Sequence, residues 1–131
     1  MIRLVTCLLL LPISAVFAEL PPSAYEKMQN QAPEVLRVHV LRVDPSQGKA
    51  PDTREVTMLA EVLKVGRSKS RLKPGDMITV KYEVVSRQPG WTGPGEVPIL
   101  KQDLETVAYL APAGSTLEYV PAAGAMSFDR F

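Results

Sequence analysis

The most concentrated chemistry in this sequence is a run of cations that leads into the turn Pro74-Gly75-Asp76. The cations are Lys64, Arg67, Lys69, Arg71 and Lys73. A hairpin with this charge can bind an acidic polymer or an anionic lipid head group. The alternative is a solvated hairpin whose charges keep a strand edge from pairing with other chains. The binding candidates from this run are Arg67, Lys69, Arg71 and Lys73.

The second binding candidate is Trp91, the only tryptophan of the chain. It stands in RQPGWTGPGEVPIL (87–100), among three glycines and three prolines. An indole offers a large apolar face with one N–H donor and is favoured at protein interfaces. Two roles follow for Trp91: a lid over the open end of a barrel, or a contact residue for a partner.

Catalytic and metal-binding groups are scarce. His39 is the single histidine, and a metal site would need further His or Cys ligands that the chain does not offer. No serine stands in a GxSxG nucleophile elbow. GWTGPG lacks the Gly-Lys-Ser or Gly-Lys-Thr ending of a phosphate loop. Spacing identifies no pair of acids, so we predict no catalytic residue, no metal and no cofactor.

The first twenty residues, MIRLVTCLLLLPISAVFAEL, have the pattern of a secretory signal. Arg3 precedes an apolar run at 4–11, and small residues precede a cleavage site between Ala18 and Glu19. The alternative is an uncleaved anchor, although a transmembrane helix needs about 20 apolar residues. Cleavage would also remove Cys7, the only cysteine. We therefore predict a periplasmic or secreted protein with no stable membrane insertion after cleavage.

The charge balance argues against nucleic acid as a partner. Fifteen Lys and Arg face fourteen Asp and Glu, which gives a formal net charge of +1. A nucleic-acid-binding domain usually has a strong excess of positive charge. We divide the chain into a signal peptide (1–18), an amino-terminal segment with a short helix (19–34) and a single domain (35–131).

Strand patterns dominate that domain. Period-two alternation is clearest in DMITVKYEVV, where residues 78, 80, 82 and 84 share one face. Four further strands are predicted at 35–43, 54–65, 104–112 and 117–121, and one helix at 23–31 with Ser23 as its N-cap. Five or six strands in a chain this short predict a mainly all-β fold, a barrel or a sandwich, with one short amino-terminal helix. The predicted core comprises Val38, Val40, Leu59, Ile78, Val80, Tyr82, Val84, Tyr109 and Leu110.

The order of these features resembles a known class of barrels. AEVLKVGRSKSRLKPGDMITVKY, a glycine-rich loop, VPIL, VAYL and a terminal SFDRF follow one another. This order is similar to the OB-like barrel of the netrin and tissue-inhibitor-of-metalloproteinase class. Inhibitors of that class act through an amino-terminal cysteine, which a chain starting at Glu19 lacks. The resemblance therefore implies a shared scaffold only, and a fold alone does not carry function.

Two functions from different classes remain open. The first is an exported, non-enzymatic binding or adaptor module that holds a periplasmic or envelope protein with loops at one barrel end, Trp91 and the basic hairpin among them. The second is a small enzyme or enzyme-inhibitor domain whose acids or backbone groups spacing does not reveal. Two carboxylates facing each other in a cleft would favour the second.

Overall fold

About half of the residues lie in β-strands, in which apolar and polar side chains alternate. The structure, a computed structural model, describes residues 20–86 and 95–129; the predicted cleavage site at Ala18 and Glu19, and Trp91, lie outside these residues. The elements are helix α1 (Pro22–Gln31), strands β1 (Glu34–Gln47), β2 (Thr53–Ser68), β3 (Met77–Val85), β4 (Glu105–Pro112) and β5 (Glu118–Pro121), a 3-10 helix (Gly124–Met126) and β6 (Phe128–Asp129).

Five of the strands close into a barrel in the order β1-β2-β3-β5-β4, with β4 pairing back onto β1. The β3–β5 pair is parallel, and every other pair is antiparallel. β6 pairs with β4 and lies outside the closed ring. Register shifts in the β1–β2 pair bend these two long strands, as bulges do in small barrels. The predicted OB-like barrel with one short helix is confirmed.

The core fills the barrel from the inward faces of the strands. Of the predicted core, the buried residues are Val38, Val40, Ile78, Val80, Tyr82 and Leu110. Val84 and Tyr109 are half-buried. The prediction for Leu59 is wrong, because its side chain is 37% exposed. Side chains alternate between the two faces of β2, and those of the even-numbered residues point into the core. These residues are Val56, Met58, Ala60 and Val62.

Helix α1 is confirmed, but it begins differently from the prediction. Its N-cap is Pro21 rather than Ser23, and no side chain caps it. Pro22 occupies the first turn, where a missing backbone N–H costs nothing. Tyr25 is the buried residue of the helix. Among the described residues, no helix has the length and apolar character needed to cross a membrane.

β1 runs further than the sequence predicts, through Pro45 to Gln47. β1 pairs with β2 from Glu34 through Gln47, whereas its pairing with β4 ends at His39, so the last residues of β1 have a ladder partner on one side among the described residues. A proline is tolerated there because it lies on an edge. Pro45 also makes this edge a poor template for a further strand.

Candidate binding site at one end of the barrel

The directions of the strands determine at which end of the barrel each connecting loop lies. The end that we call the basic end carries the α1–β1 junction, the loop between β2 and β3 (residues 69–76, the basic loop) and the loop between β4 and β5 (residues 113–117). The opposite end carries the β1–β2 turn and the β3–β4 connection. Val85, the last residue of β3, pairs with Thr53 beside the β1–β2 turn.

The backbone N–H groups of the basic loop are all hydrogen-bonded within the protein. Apart from Pro74, which has no N–H, every residue of the loop donates its backbone N–H to an acceptor within the protein. The donors are Lys69 (to Pro33 O), Ser70 (to Glu34 Oε1), Arg71 (to Ser68 O), Leu72 (to Ser68 Oγ), Lys73 (to Asp76 Oδ2), Gly75 (to Val62 O) and Asp76 (to Lys73 O). Gly75 has φ +93°, as the second central residue of a Pro-Gly turn requires. The loop is therefore ordered before any ligand binds.

A buried carboxylate anchors this loop to β1. Glu34 occupies the first inward position of the strand and has no exposed surface. Its Oε1 accepts the N–H of Ser70 at 2.8 Å, while its buried Oε2 has no hydrogen-bond partner among the described residues. Burying a carboxylate is costly unless its oxygens are satisfied. Leu72 is buried beside the core, so the loop also closes this end of the barrel.

Lys69, Arg71 and Lys73 are exposed side chains on this ordered loop. Neither an ion pair nor a side-chain hydrogen bond engages any of the three among the described residues. Arg71 has φ +62°, a left-handed conformation that is uncommon for a residue with a Cβ. The loop thus presents three cations from a fixed backbone.

Arg67, the fourth predicted binding cation, has a different environment. Its Nε and Nη2 donate to Ala32 O at 2.9 and 2.7 Å, and Nη2 also donates to Gln29 O at 3.0 Å. The last carbonyl groups of a helix lack partners within the helix and carry partial negative charge. The guanidinium of Arg67 therefore holds the carboxyl end of α1 against β2.

A groove of about 300 Å³ separates the basic loop from the β4–β5 loop. Arg71 and Leu117 both line it, and they are two of the three non-glycine residues with positive φ among those described. Leu117 has φ +61° and is 43% exposed. The other lining residues are Ser70, Leu72, Asp76, Pro112, Ser115, Thr116 and Tyr119. Strained backbone of this kind is concentrated at functional sites.

The opposite end of the barrel is covered by residues 97–100, which do not form a strand. Leu100 is buried, and Val97 and Ile99 pack against the core. Tyr82 donates its hydroxyl to Pro98 O at 2.7 Å. Burial raises the pKa of Tyr82 to about 12, and a backbone hydrogen bond with Leu100 opposes part of that shift. The role of Trp91 as lid or contact stays a prediction.

His39 lies on the outer face of β1 among acids. Its Nε2 is 3.5 Å from Asp103 Oδ1, and its cross-strand partners are Glu61 and Glu105. Within residues 20–86 and 95–129, no three His, Cys, Asp or Glu side chains are arranged to hold a metal ion.

Sequence reasoning did not identify Glu34 or Leu117 as parts of the basic end. A signal for Glu34 exists: it is the one charged residue on the inward face of the alternating segment EVLRVHV.

No family model, curated protein or solved structure matches this chain. The similarity to the netrin and tissue-inhibitor class therefore stays a prediction from the order of motifs.

Proposed function

We propose that this protein is an exported, non-enzymatic binding module that holds a partner protein of the periplasm or envelope at the basic end of its barrel. The observation that carries the proposal is the ordered backbone of the basic loop, which presents Lys69, Arg71 and Lys73. A binding surface that is ordered in advance loses less conformational entropy on association. Exposed cations at a rim speed the encounter with an acidic partner.

The site of the proposal differs from the one that the sequence suggests. Arg67 is omitted, since its guanidinium already binds the helix carbonyl groups. Trp91 is omitted as well, since it lies outside the described residues. The β4–β5 loop joins the site in their place, because it forms the second wall of the groove.

The test is capture of a partner from an envelope extract by immobilised protein, followed by kinetics with the identified partner. The triple variant Lys69→Gln, Arg71→Gln, Lys73→Gln is compared with a control that removes the same charge at the other end, Lys49→Gln, Arg54→Gln, Lys101→Gln. All six side chains are exposed. We expect the first variant to associate more slowly and with a weaker salt dependence, and the control to match wild type. Equal behaviour of the two variants, or no capture by wild type, overturns the proposal.

A further inference from the structure

The groove at the basic end has two chemically different walls. One wall carries Arg71 and also Asp76, whose carboxylate accepts the backbone N–H of Lys73; Lys69 and Lys73 are exposed on the same loop but do not line the groove. The other carries Leu117 and Pro112, and the buried side chains of Leu72 and Tyr119 also line the groove. A ligand that fills this space must therefore offer negative charge to one wall and an apolar group to the other.

Leu117 combines a left-handed backbone conformation with a partly exposed apolar side chain. Its backbone is held at φ +61° by two hydrogen bonds, from Thr79 N–H to Leu117 O and from Glu118 N–H to Ser115 O. A left-handed conformation is unfavourable for a leucine, because its Cβ crowds the backbone, whereas glycine adopts it freely. The leucine side chain is 43% exposed, so only part of its apolar surface is buried within the protein. Contact with a ligand would bury it.

Met77 is a second exposed apolar side chain at this end of the barrel, outside the lining of the groove. Met77 follows Asp76 of the basic loop and is 45% exposed, the largest exposed fraction among the described large apolar residues. β3 and β5 run parallel, with Thr79 opposite Glu118, so Met77 lies near the strand end that Leu117 precedes.

The cations and hydroxyl groups determine what else the ligand carries. A guanidinium binds a carboxylate through two parallel hydrogen bonds, which gives both strength and orientation. Ser70, Ser115 and Thr116 supply hydroxyl groups that can donate to or accept from a peptide backbone. A free phosphate or a lipid head group would satisfy Arg71 and leave the apolar wall uncovered.

We propose that the groove between the basic loop and the β4–β5 loop binds an acidic peptide segment with an apolar side chain, its carboxylates on Arg71 and the neighbouring lysines and its apolar side chain on Leu117. This inference rests on the proposed function and identifies the class of partner segment. It assigns Leu117 as a specificity-determining residue.

The test uses fluorescence anisotropy with a fluorescein-labelled peptide of glutamate and serine residues around one central leucine. A second peptide has serine in place of that leucine, and vesicles of phosphatidylglycerol serve as the lipid probe. The variants are Leu117→Asn and its control Leu59→Asn, a change at another exposed leucine outside the groove. Asparagine tolerates the left-handed conformation, so Leu117→Asn keeps the loop and removes the apolar contact.

We expect Leu117→Asn to weaken binding of the leucine peptide by about tenfold or more, with a melting temperature at or above that of wild type. Leu59→Asn should leave the affinity unchanged. Removing the leucine from the peptide should weaken binding to wild type by a similar factor and have little further effect on Leu117→Asn, because both changes delete the same contact.

Three outcomes overturn the inference. If both peptides bind equally well to wild type and to Leu117→Asn, the groove does not select an apolar side chain, while the cationic binding of the proposed function stands. If neither peptide binds but the captured partner still depends on Lys69, Arg71 and Lys73, the segment class is wrong and the proposed function stands. If only the vesicles bind, with loss in the basic-loop variant, the ligand is a membrane surface and both proposals fail.

Discussion

Glu34 and Ser70 connect the first strand of the barrel to the basic loop: the buried carboxylate accepts the backbone N–H of Ser70 at 2.8 Å. The two residues are distant in sequence, and neither is among the predicted binding residues. Their contact fixes the middle of the loop relative to the barrel wall. The position of Arg71 therefore depends on a residue that no ligand touches.

We predict that Glu34→Ala destabilises the protein by about 2 kcal/mol or more, because it leaves the Ser70 N–H without an acceptor and a void beneath the loop. Glu34→Gln should cost less, since its amide oxygen can still accept that N–H without a buried charge. Urea unfolding and hydrogen exchange at the Ser70 amide provide the measurements. Equal losses in the two variants would argue against the hydrogen bond as the anchor.

Arg67→Ala should release the carboxyl end of α1 from the barrel. Hydrogen bonds from a charged donor contribute about 1.5 to 3 kcal/mol, so we expect faster amide exchange in α1 with little change in the strands. Arg67→Lys should not restore protection, because an ammonium group lacks the planar fork that reaches both Gln29 and Ala32. Arg54→Ala, at an exposed cation on the same strand, is the control.

The face of each strand can be tested with a pair of alanine variants. Ile78 has no exposed surface and packs in the core, so Ile78→Ala should cost about 2 to 4 kcal/mol. Leu59→Ala should cost less than about 1 kcal/mol, because the side chain is already partly in solvent. The urea midpoints of both variants decide the matter, and a similar shift in each would contradict the assigned faces.

We expect the protein to lose folding stability at alkaline pH because of the raised pKa of Tyr82. Its pKa lies near 10 in the unfolded chain and about 12 in the folded one, so between these values the unfolded chain releases the proton first. Unfolding then becomes easier by about 1.4 kcal/mol for each pH unit, and this contribution to stability is fully present only below pH 10. The difference in unfolding free energy between wild type and Tyr82→Phe, followed from pH 9 to 12, isolates this effect. A difference independent of pH would contradict it.

Export predicts a defined amino terminus. Val16 and Ala18 occupy the positions that a signal peptidase recognises, so we expect the exported chain to begin at Glu19. Intact mass spectrometry of protein from the periplasm measures this. A chain that retains Cys7 with attached lipid would replace the soluble exported module with a lipid-anchored one.

Local patterns predicted the strands because side-chain alternation is a property of neighbouring residues. The inward face of β3 and the Pro74-Gly75 turn followed directly from their own residues. The same reasoning was wrong for Leu59, since β2 is apolar on both faces near that position and only pairing with β3 shows which face is inside. Ser23 was wrong as a cap because the two preceding prolines already begin the helix.

The sequence by itself determined a mainly β barrel, one helix and a loop rich in cations, because each of these depends on residues close together in the chain. The tertiary structure alone decided that Glu34 anchors the basic loop, that Arg67 serves the helix and that Arg71 and Leu117 line one groove. The first two relationships follow from the β1–β2 register, in which Glu34 pairs with Ser68 and Val35 with Arg67, and the third depends on the parallel β3–β5 pairing between segments distant in sequence. Closure decides which loops share an end, and a linear pattern does not contain that information.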